Sequence, residues 1–366
     1  MARSLSQRRP RRGAGAHRPH SVTIDDVAAK AGVSVATISR VLNGKGPVRP
    51  ATSRRVLAAA KALHYVPHAG ARSLSMRTTH TIGLLLPDLH GEFFSEVIRG
   101  IDGAARGRGY HLLVSGFHSD RAEMGAMFDA VRGRVDGLIV MAPDRGAAFA
   151  REDLPSVPLV HLNSARGFGT SINIDNAGGA TAMVRHLASL GNRRLAFIRG
   201  PERNADAAER LRGYRSAIRS LGKPSAEGVE VAGDFTEEGG YTAAREMLRH
   251  KPLPDAIFAA NDAMAIGALH AFREASVRVP DEIALAGFDD IPIARYVTPA
   301  LTTVNVEIAE LGRRAFELLL EIIDSNTSSN RREKFPTRLV VRESCGSQVR
   351  VPTHPQLSLH RGGGKA

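Results

Sequence analysis

Cysteine occurs once in the 366 residues, at Cys345. One thiol can form neither an intramolecular disulfide nor a thiolate metal cluster, and such sparse usage fits a reducing, cytoplasmic setting. Apolar runs of about 18 residues, the length that would suggest a membrane-spanning helix, are absent. Arg8, Arg9, Arg11 and Arg12 could open an export signal, but Gly13 to His20 supplies no apolar core, so a soluble chain that is not exported is expected. P-loop, zinc-ligand and nucleophile-elbow spacings are also missing, and Gly107-Arg-Gly109 closes a helix where a dinucleotide fingerprint would open one. The expectation is a protein without cofactor or metal that is not an enzyme.

Acidic residues are the most informative shortage. Residues 1 to 80 hold fifteen Lys and Arg but only Asp25 and Asp26, whereas the remaining 286 residues hold 35 basic and 35 acidic groups. The whole formal excess of +13 therefore sits in the first 80 residues. This asymmetry predicts a nucleic-acid-binding module joined to a neutral body. Residues 1–20, with six Arg, no acid and several Gly and Pro, read as a disordered, phosphate-attracting arm.

A chain of this length exceeds one ordinary core, and two or three domains are expected. Three short helices are legible between Val22 and Val66. Thr23 followed by Asp26 resembles a capping box and opens Ile24 to Ala31; Gly32 breaks that helix, and Ser34 caps the next. Ile24, Val27 and Ala28 can then meet Ile38, Val41 and Leu42 across the turn, a helix-turn-helix pattern. A third helix begins near Pro50 and is expected to present Val56, Leu57, Ala60 and Leu63 to the same core. The segment from Pro67 to Met76 is too short and too weakly apolar for a core element, and reads as a linker.

From Thr81 onward, apolar runs of about five residues alternate with helices of ten to fifteen, first to about residue 163 and again after 176. This is the pattern of parallel βαβ units, and two series predict two doubly wound lobes. Polar residues gather where the strands end: Pro87-Asp88, Ser115-Gly116, Asn163-Ser164, Gly200-Pro201, Asn261-Asp262 and Asp289-Asp290. Open parallel sheets bind ligands at such ends, so a cleft between the lobes is expected.

The motifs TIDDVAAKAGVSVATISRVLNG, HYVPHAGARSL, TIGLLLPD, GEFFSEVIRGIDGAARGRGYHLL, RVDGLIV, ERLRGY, IFAANDAMAIGAL, VPDEIALAGFDDI and PALTTV, in this order over residues 22 to 345, resemble the lactose/galactose repressor (LacI/GalR) family of transcriptional regulators. The resemblance implies an all-α helix-turn-helix headpiece at 21–67, a hinge helix or linker at 68–80, and at 81–350 an α/β body of two doubly wound, periplasmic-binding-protein-like lobes. The first lobe would span about 81–175 and 305–337, the second about 176–304 and 338–350, followed by a disordered tail at 351–366. Without a heptad in that tail, no tetramer is expected.

It further implies a homodimer whose second helices enter the major groove of a palindromic double-stranded operator. The specificity-setting positions fall on Val35 and Ala36, and Arg40 suits bidentate bonding to a guanine edge. Thr23, Ser34, Thr37, Ser39 and Asn43 are expected as phosphate-positioning donors. In the hinge, Leu74 matches a leucine wedged into the minor groove, with Ala71 and Arg72 as groove-facing neighbours. Arg49, His68 and Gly70 depart from the family pattern, the first two at capping positions, so this hinge helix is expected to depend on DNA and on its dimer mate.

For the small-molecule effector, the resemblance points to Phe93, Phe94, Asn163, Arg210, Phe258, Asn261 and Asp289. A sugar suits the donor fork of Arg210 facing the acceptor Asp289; a nucleobase or nucleoside is the alternative. These residues also have a structural reading, with Arg210 and Asp289 pairing together and one or both Phe in the core. The leading expectation is a ligand-responsive repressor of carbohydrate use. A two-lobed solute-binding protein comes second and an enzyme third.

Overall fold

The structure, a computed structural model, describes residues 22–43, 46–65, 78–116, 121–141, 157–163, 169–222, 229–325 and 330–347. The expected arm and tail, and the hinge residues His68, Gly70, Ala71, Arg72 and Leu74, lie outside the described residues. The chain divides into two compact units, one ending at Thr79 and one starting at His80.

In the first unit, α1 (Ile24–Ala31) starts at a capping box. Thr23 Oγ1 accepts from the Asp26 amide at 3.3 Å, while Asp26 Oδ2 accepts from the Thr23 amide at 2.8 Å. Gly32 ends the helix in the left-handed region, φ 60°, which a side chain rarely adopts. Ser34 then caps α2 (Val35–Leu42), its Oγ accepting from the Thr37 amide at 3.3 Å. Proline begins α3 (Pro50–Ala62), and Arg49 before it makes no side-chain cap. Val27, Ala28, Ala31, Ile38, Val56, Ala59 and Ala60 form the buried core, with Val41, Leu42 and Leu63 packed at its edge. Leu57 is a correction to the expected core: it is 52% exposed, because the inward face of α3 passes through Val56, Ala59, Ala60 and Leu63.

The second unit opens with β1 (Thr81–Leu86), α4 (Glu92–Gly107), β2 (His111–Gly116), α5 (Arg121–Val131), β3 (Gly137–Met141), β4 (Leu159–Leu162) and β5 (Thr170–Ile174). There follow α6 (Asn176–Ser189), β6 (Leu195–Ile198), α7 (Ala205–Ser220), β7 (Glu230–Val231), α8 (Glu237–Met247), β8 (Ala256–Ala259), α9 (Asp262–Glu274) and β9 (Ala284–Ala286). The series ends with β10 (Thr303–Asn305), α10 (Ile308–Ser325), β11 (Arg332–Phe335) and β12 (Arg338–Val340).

These strands make two parallel sheets, six-stranded in the order β11-β5-β4-β3-β1-β2 and four-stranded in the order β7-β6-β8-β9, with an antiparallel pair β10-β12. The first sheet and its helices α4, α5 and α10 form an N-lobe; the second, with α6 to α9, forms a C-lobe. Central strands such as β1 and β3 are buried on both faces and read as continuous aliphatic runs, TIGLLL and GLIVM. The edge strand β2 alternates exposed with half-buried residues.

The chain crosses between lobes three times, at Asp175, at residues 306–307 and at residues 336–337. Two crossings touch: Thr337 Oγ1 donates to the Asp175 carbonyl at 3.4 Å, and Lys334 Nζ lies 2.8 Å from Asp175 Oδ1. Helices α6 and α7 meet backbone to backbone, since a Cβ on Gly213 would run into the Ala177 carbonyl.

Candidate functional site

The first candidate surface is the outer side of α2. Ile38 is fully buried and fixes the helix by its apolar side, an anchor of about 1.5–3 kcal/mol. Ser34, Val35, Ala36 and Arg40 are consequently exposed, with Val35 at 38%. Between them the hydroxyls are organised in pairs: Ser34 Oγ lies 3.0 Å from Thr37 Oγ1, and Asn43 Nδ2 donates to Ser39 Oγ at 3.1 Å. A hydroxyl that accepts one bond keeps its hydrogen for another acceptor. The result is a convex face with two small apolar side chains, one guanidinium and a fringe of hydroxyl donors. Thr23 belongs to the capping box, its Oγ1 also donating to Asp26 Oδ2 at 2.8 Å.

The second candidate site lies where the C-lobe strands end. Arg210, on α7, is 3% exposed and spends all three of its nitrogens. Nε donates to Asn176 Oδ1 at 2.8 Å, Nη1 donates to the Ala260 carbonyl at 2.6 Å, and Nη2 lies 2.8 Å from Asp289 Oδ1. The last contact is a buried ion pair, in which Asp289 Oδ1 depends on Arg210 and keeps lone-pair capacity for a further donor. The guanidinium carbon stands 3.9 Å above the Phe288 ring and 5.7 Å from that of Phe235.

Three carboxylates share this one guanidinium's surroundings. Asn176 Nδ2 donates to Asp206 Oδ1 at 2.8 Å, which makes a chain from Asp206 through Asn176 and Arg210 to Asp289. Burial pushes the Asp206 carboxyl up to about 7 and the Asp289 carboxyl up to about 6, against the pull of Arg210 on both. Asp262, fully buried at the start of α9, is also pushed well up by burial and by Asp289. Its carboxylate accepts from Thr303 Oγ1 at 2.5 Å and from the Ile291 amide at 2.9 Å. Beside it Asn261 caps α9, accepting from the Met264 amide at 3.0 Å and donating to the Phe235 carbonyl at 2.9 Å.

Backbone strain marks the same place. Phe235 has φ 73°, Asn163 φ 50° and Asp289 φ 110°. Asn and Asp adopt positive φ more readily than other residues, but a phenylalanine there costs on the order of 1–3 kcal/mol, and such outliers cluster at ligand sites.

From the N-lobe come Asn163 and the start of α4. Asn163, 2% exposed, accepts on Oδ1 from the Ile174 amide at 3.2 Å, and its Nδ2 is buried without a partner. Phe93 and Phe94 are half-buried and meet edge to face, centroids 5.6 Å apart. Just before them, Glu92 Oε2 accepts a hydrogen bond from the Ile293 amide at 2.9 Å, which joins this end of α4 to the C-lobe segment following Asp289.

The structure thus brings Arg210, Asp289 and Asn261 together and sets Phe93 and Phe94 directly after Glu92, whose carboxylate meets the C-lobe. Phe258 is corrected. It is 1% exposed in β8, tilted against Phe197 at 5.2 Å, inside the apolar core. The ring beside the guanidinium on that side is Phe235, which sequence reading missed. The available signal was its place after a strand end, but β7 has only two residues and is too short to announce that end. Asn176, at the start of α6, is a second residue that sequence reading missed. Among the described residues no group of three or more His, Cys, Asp or Glu is placed to hold a metal ion, and no helix is long and apolar enough to cross a membrane.

Comparison with known proteins agrees with this division of the molecule. Residues 23–68 match the family described as bacterial regulatory proteins, lacI family, and residues 184–345 match the periplasmic binding protein-like domain. The ribose operon repressor of Escherichia coli (strain K12) is 37% identical over 328 residues, which cover 88% of this chain and 99% of the repressor. Among solved structures, the Lac repressor dimer bound to operator and the anti-inducer ONPF superposes with a TM-score of 0.80 at 29% identity, covering 88% of this chain and 99% of that one. The complex of the transcriptional regulator CelR with cellobiose gives a TM-score of 0.67 at 33% identity with the same coverages.

Proposed function

On the premise that the chain belongs to the LacI family of bacterial regulatory proteins, and is thereby a ligand-responsive transcriptional repressor, we propose that it acts as a homodimer on a palindromic operator and answers to a sugar. The observation that carries the effector class is the polar cage around Arg210. Asn163 Nδ2 offers a buried donor, Asp289 Oδ1 a buried acceptor, and Phe235 and Phe288 flank the guanidinium. A buried polar atom left unpaired costs about 1–3 kcal/mol, so a ligand rich in hydroxyls, each both donor and acceptor, removes more penalty here than an apolar one. Two relatives support the class, one a ribose operon repressor and one solved with cellobiose.

On the DNA side, Val35 and Ala36 offer methyl contacts to thymines and Arg40 is the polar base reader, with Ser34, Thr37, Ser39, Asn43 and Thr23 on phosphates. Ala71, Arg72 and Leu74 carry the minor-groove role by resemblance. Because the sugar touches both lobes, binding shifts their relative angle and, through it, operator affinity.

The test is a thermal-shift screen of pentoses, hexoses and disaccharides against the full chain, followed by operator binding with each hit. A stabilising sugar that also changes operator affinity is the expected result, and Asp289→Asn should lose that response while keeping operator binding. If no sugar stabilises the wild type, or if Asp289→Asn responds normally, the reading is wrong.

A further inference from the structure

The back of the C-lobe carries a groove that the proposed function does not use. It encloses about 500 Å³ between α6 and α7. Gly178, Thr181, Ala182 and Arg185 contribute one face of α6; Arg212, Gly213 and Ser216 contribute α7; Lys334 reaches it from β11. The floor is backbone and small side chains, because the helices close up at Gly213 and Ala177. Three cations stand on the rim. Among the described residues Arg185 has no carboxylate partner, Arg212 has Glu209 one helical turn away at 3.1 Å, and Lys334 faces Asp175 at 2.8 Å.

The arginines of α10 are placed differently. On α10, Arg313 is held by Glu310 and Glu317, and Arg314 by Glu317, Glu321 and Glu333. Around the groove Asp175 is the one lining acid against three lining cations, and its Oδ1 is already engaged by the Gly178 amide at 2.9 Å. A second hollow of about 390 Å³ continues along α7 and shares Arg212; of its other two arginines, Arg215 is held by Glu230 at 2.6 Å, which leaves Arg219 as the added positive charge.

The groove also spans the hinge. Arg185 and Arg212 belong to the C-lobe, Lys334 to a strand of the N-lobe sheet, and Asp175 is itself a crossing between lobes. We propose that this groove binds a small, multiply charged phosphorylated compound, and that the compound acts as a second effector by drawing Lys334 toward Arg185 and Arg212. The volume lies in the small-molecule range, and forked guanidiniums with an ammonium suit phosphoryl oxygens. An anion held between groups of different lobes favours whichever lobe angle brings them together.

Inorganic pyrophosphate is the probe, titrated into the full chain by calorimetry at fixed ionic strength, with sulfate and chloride as controls. The wild type is expected to bind pyrophosphate at least tenfold tighter than sulfate. Arg185→Gln with Arg212→Gln should weaken pyrophosphate at least tenfold, whereas Arg249→Gln, a basic residue away from the groove, should leave it unchanged. Operator affinity of the wild type should move at least threefold with pyrophosphate and that of the double variant should not, which separates the groove from competition at the DNA-reading helix. Equal binding by wild type and double variant, or binding without any change in operator affinity, overturns the proposal. The double variant should still respond to a sugar in the cleft, so failure here is distinct from failure of the sugar reading.

Discussion

Glu92 and Ile293 stand 201 residues apart in the chain and are joined by a hydrogen bond of 2.9 Å, carboxylate to backbone amide, from one lobe to the other. The carboxylate holds the segment that follows Asp289 against the start of α4. Glu92→Ala should therefore weaken sugar binding about three- to tenfold, the value of roughly one such bond, and open the lobes measurably in small-angle scattering. Glu92→Gln keeps an acceptor and should fall between the two. Unchanged affinity and scattering in Glu92→Ala would mean that the bond does not hold the lobes.

Two phenylalanines of the C-lobe should part company on substitution. Phe235→Ala removes a half-buried ring beside Arg210 and leaves the positive φ in place, so sugar affinity should fall while stability changes by only about 1 kcal/mol. Phe258→Ala empties a core site packed against Phe197 and should cost about 3–5 kcal/mol in urea unfolding. The reverse pattern would return Phe258 to the ligand.

Asp206 gives a pH signature. Its folded carboxyl holds a proton up to about pH 7, whereas in the unfolded chain it is released near 3.8. Between those values the folded state binds the extra proton, so this group's contribution to stability falls as pH rises through the window. Asp206→Asn keeps an acceptor for Asn176 and carries no charge. Relative to wild type it should be stabilised by on the order of 2–4 kcal/mol at pH 8, with most of that difference gone at pH 4.5. Denaturant unfolding at the two pH values decides it.

Arg40 is exposed on α2, and its aliphatic stem runs beside Gly46. Arg40→Ala should weaken operator binding by about 1–3 kcal/mol and relax preference at a single base position, read by selection from a randomised operator library. A uniform loss across all sequences, with a shallower salt dependence, would make Arg40 a phosphate contact instead.

Much of the headpiece was legible because its instructions are local. The Thr23 and Asp26 box and the Ser34 cap lie within three residues of what they bind, and Gly32 marks the break. Leu57 is exposed against expectation because it adjoins Val56 in a run of apolar residues, Val56 to Ala60, that gives α3 more than one apolar face, and packing chose between them. In the body, aliphatic runs such as those of β1 and β3 declared themselves. Strands β7 and β10 to β12, of two to four residues, carry too little periodicity to do so. The Asp206, Asn176 and Arg210 chain joins residues about 30 positions apart, and Phe235 faces Arg210 only because two strand ends converge. Such neighbours are products of tertiary structure, and no local pattern encodes them.

The N-lobe sheet takes its edge strand β11 and its covering helix α10 from near the end of the chain, after the four strands of the C-lobe sheet have been made. During synthesis α1 to α3 and their small core can therefore be complete while the lobe that begins at Thr81 still waits for residues 308–335. A ribosome that stops anywhere in the C-lobe releases a chain with a complete α2 and no finished N-lobe. Premature termination in this gene would thus yield headpieces deaf to the ligand, and their removal is a matter for proteolysis of the unfinished lobe.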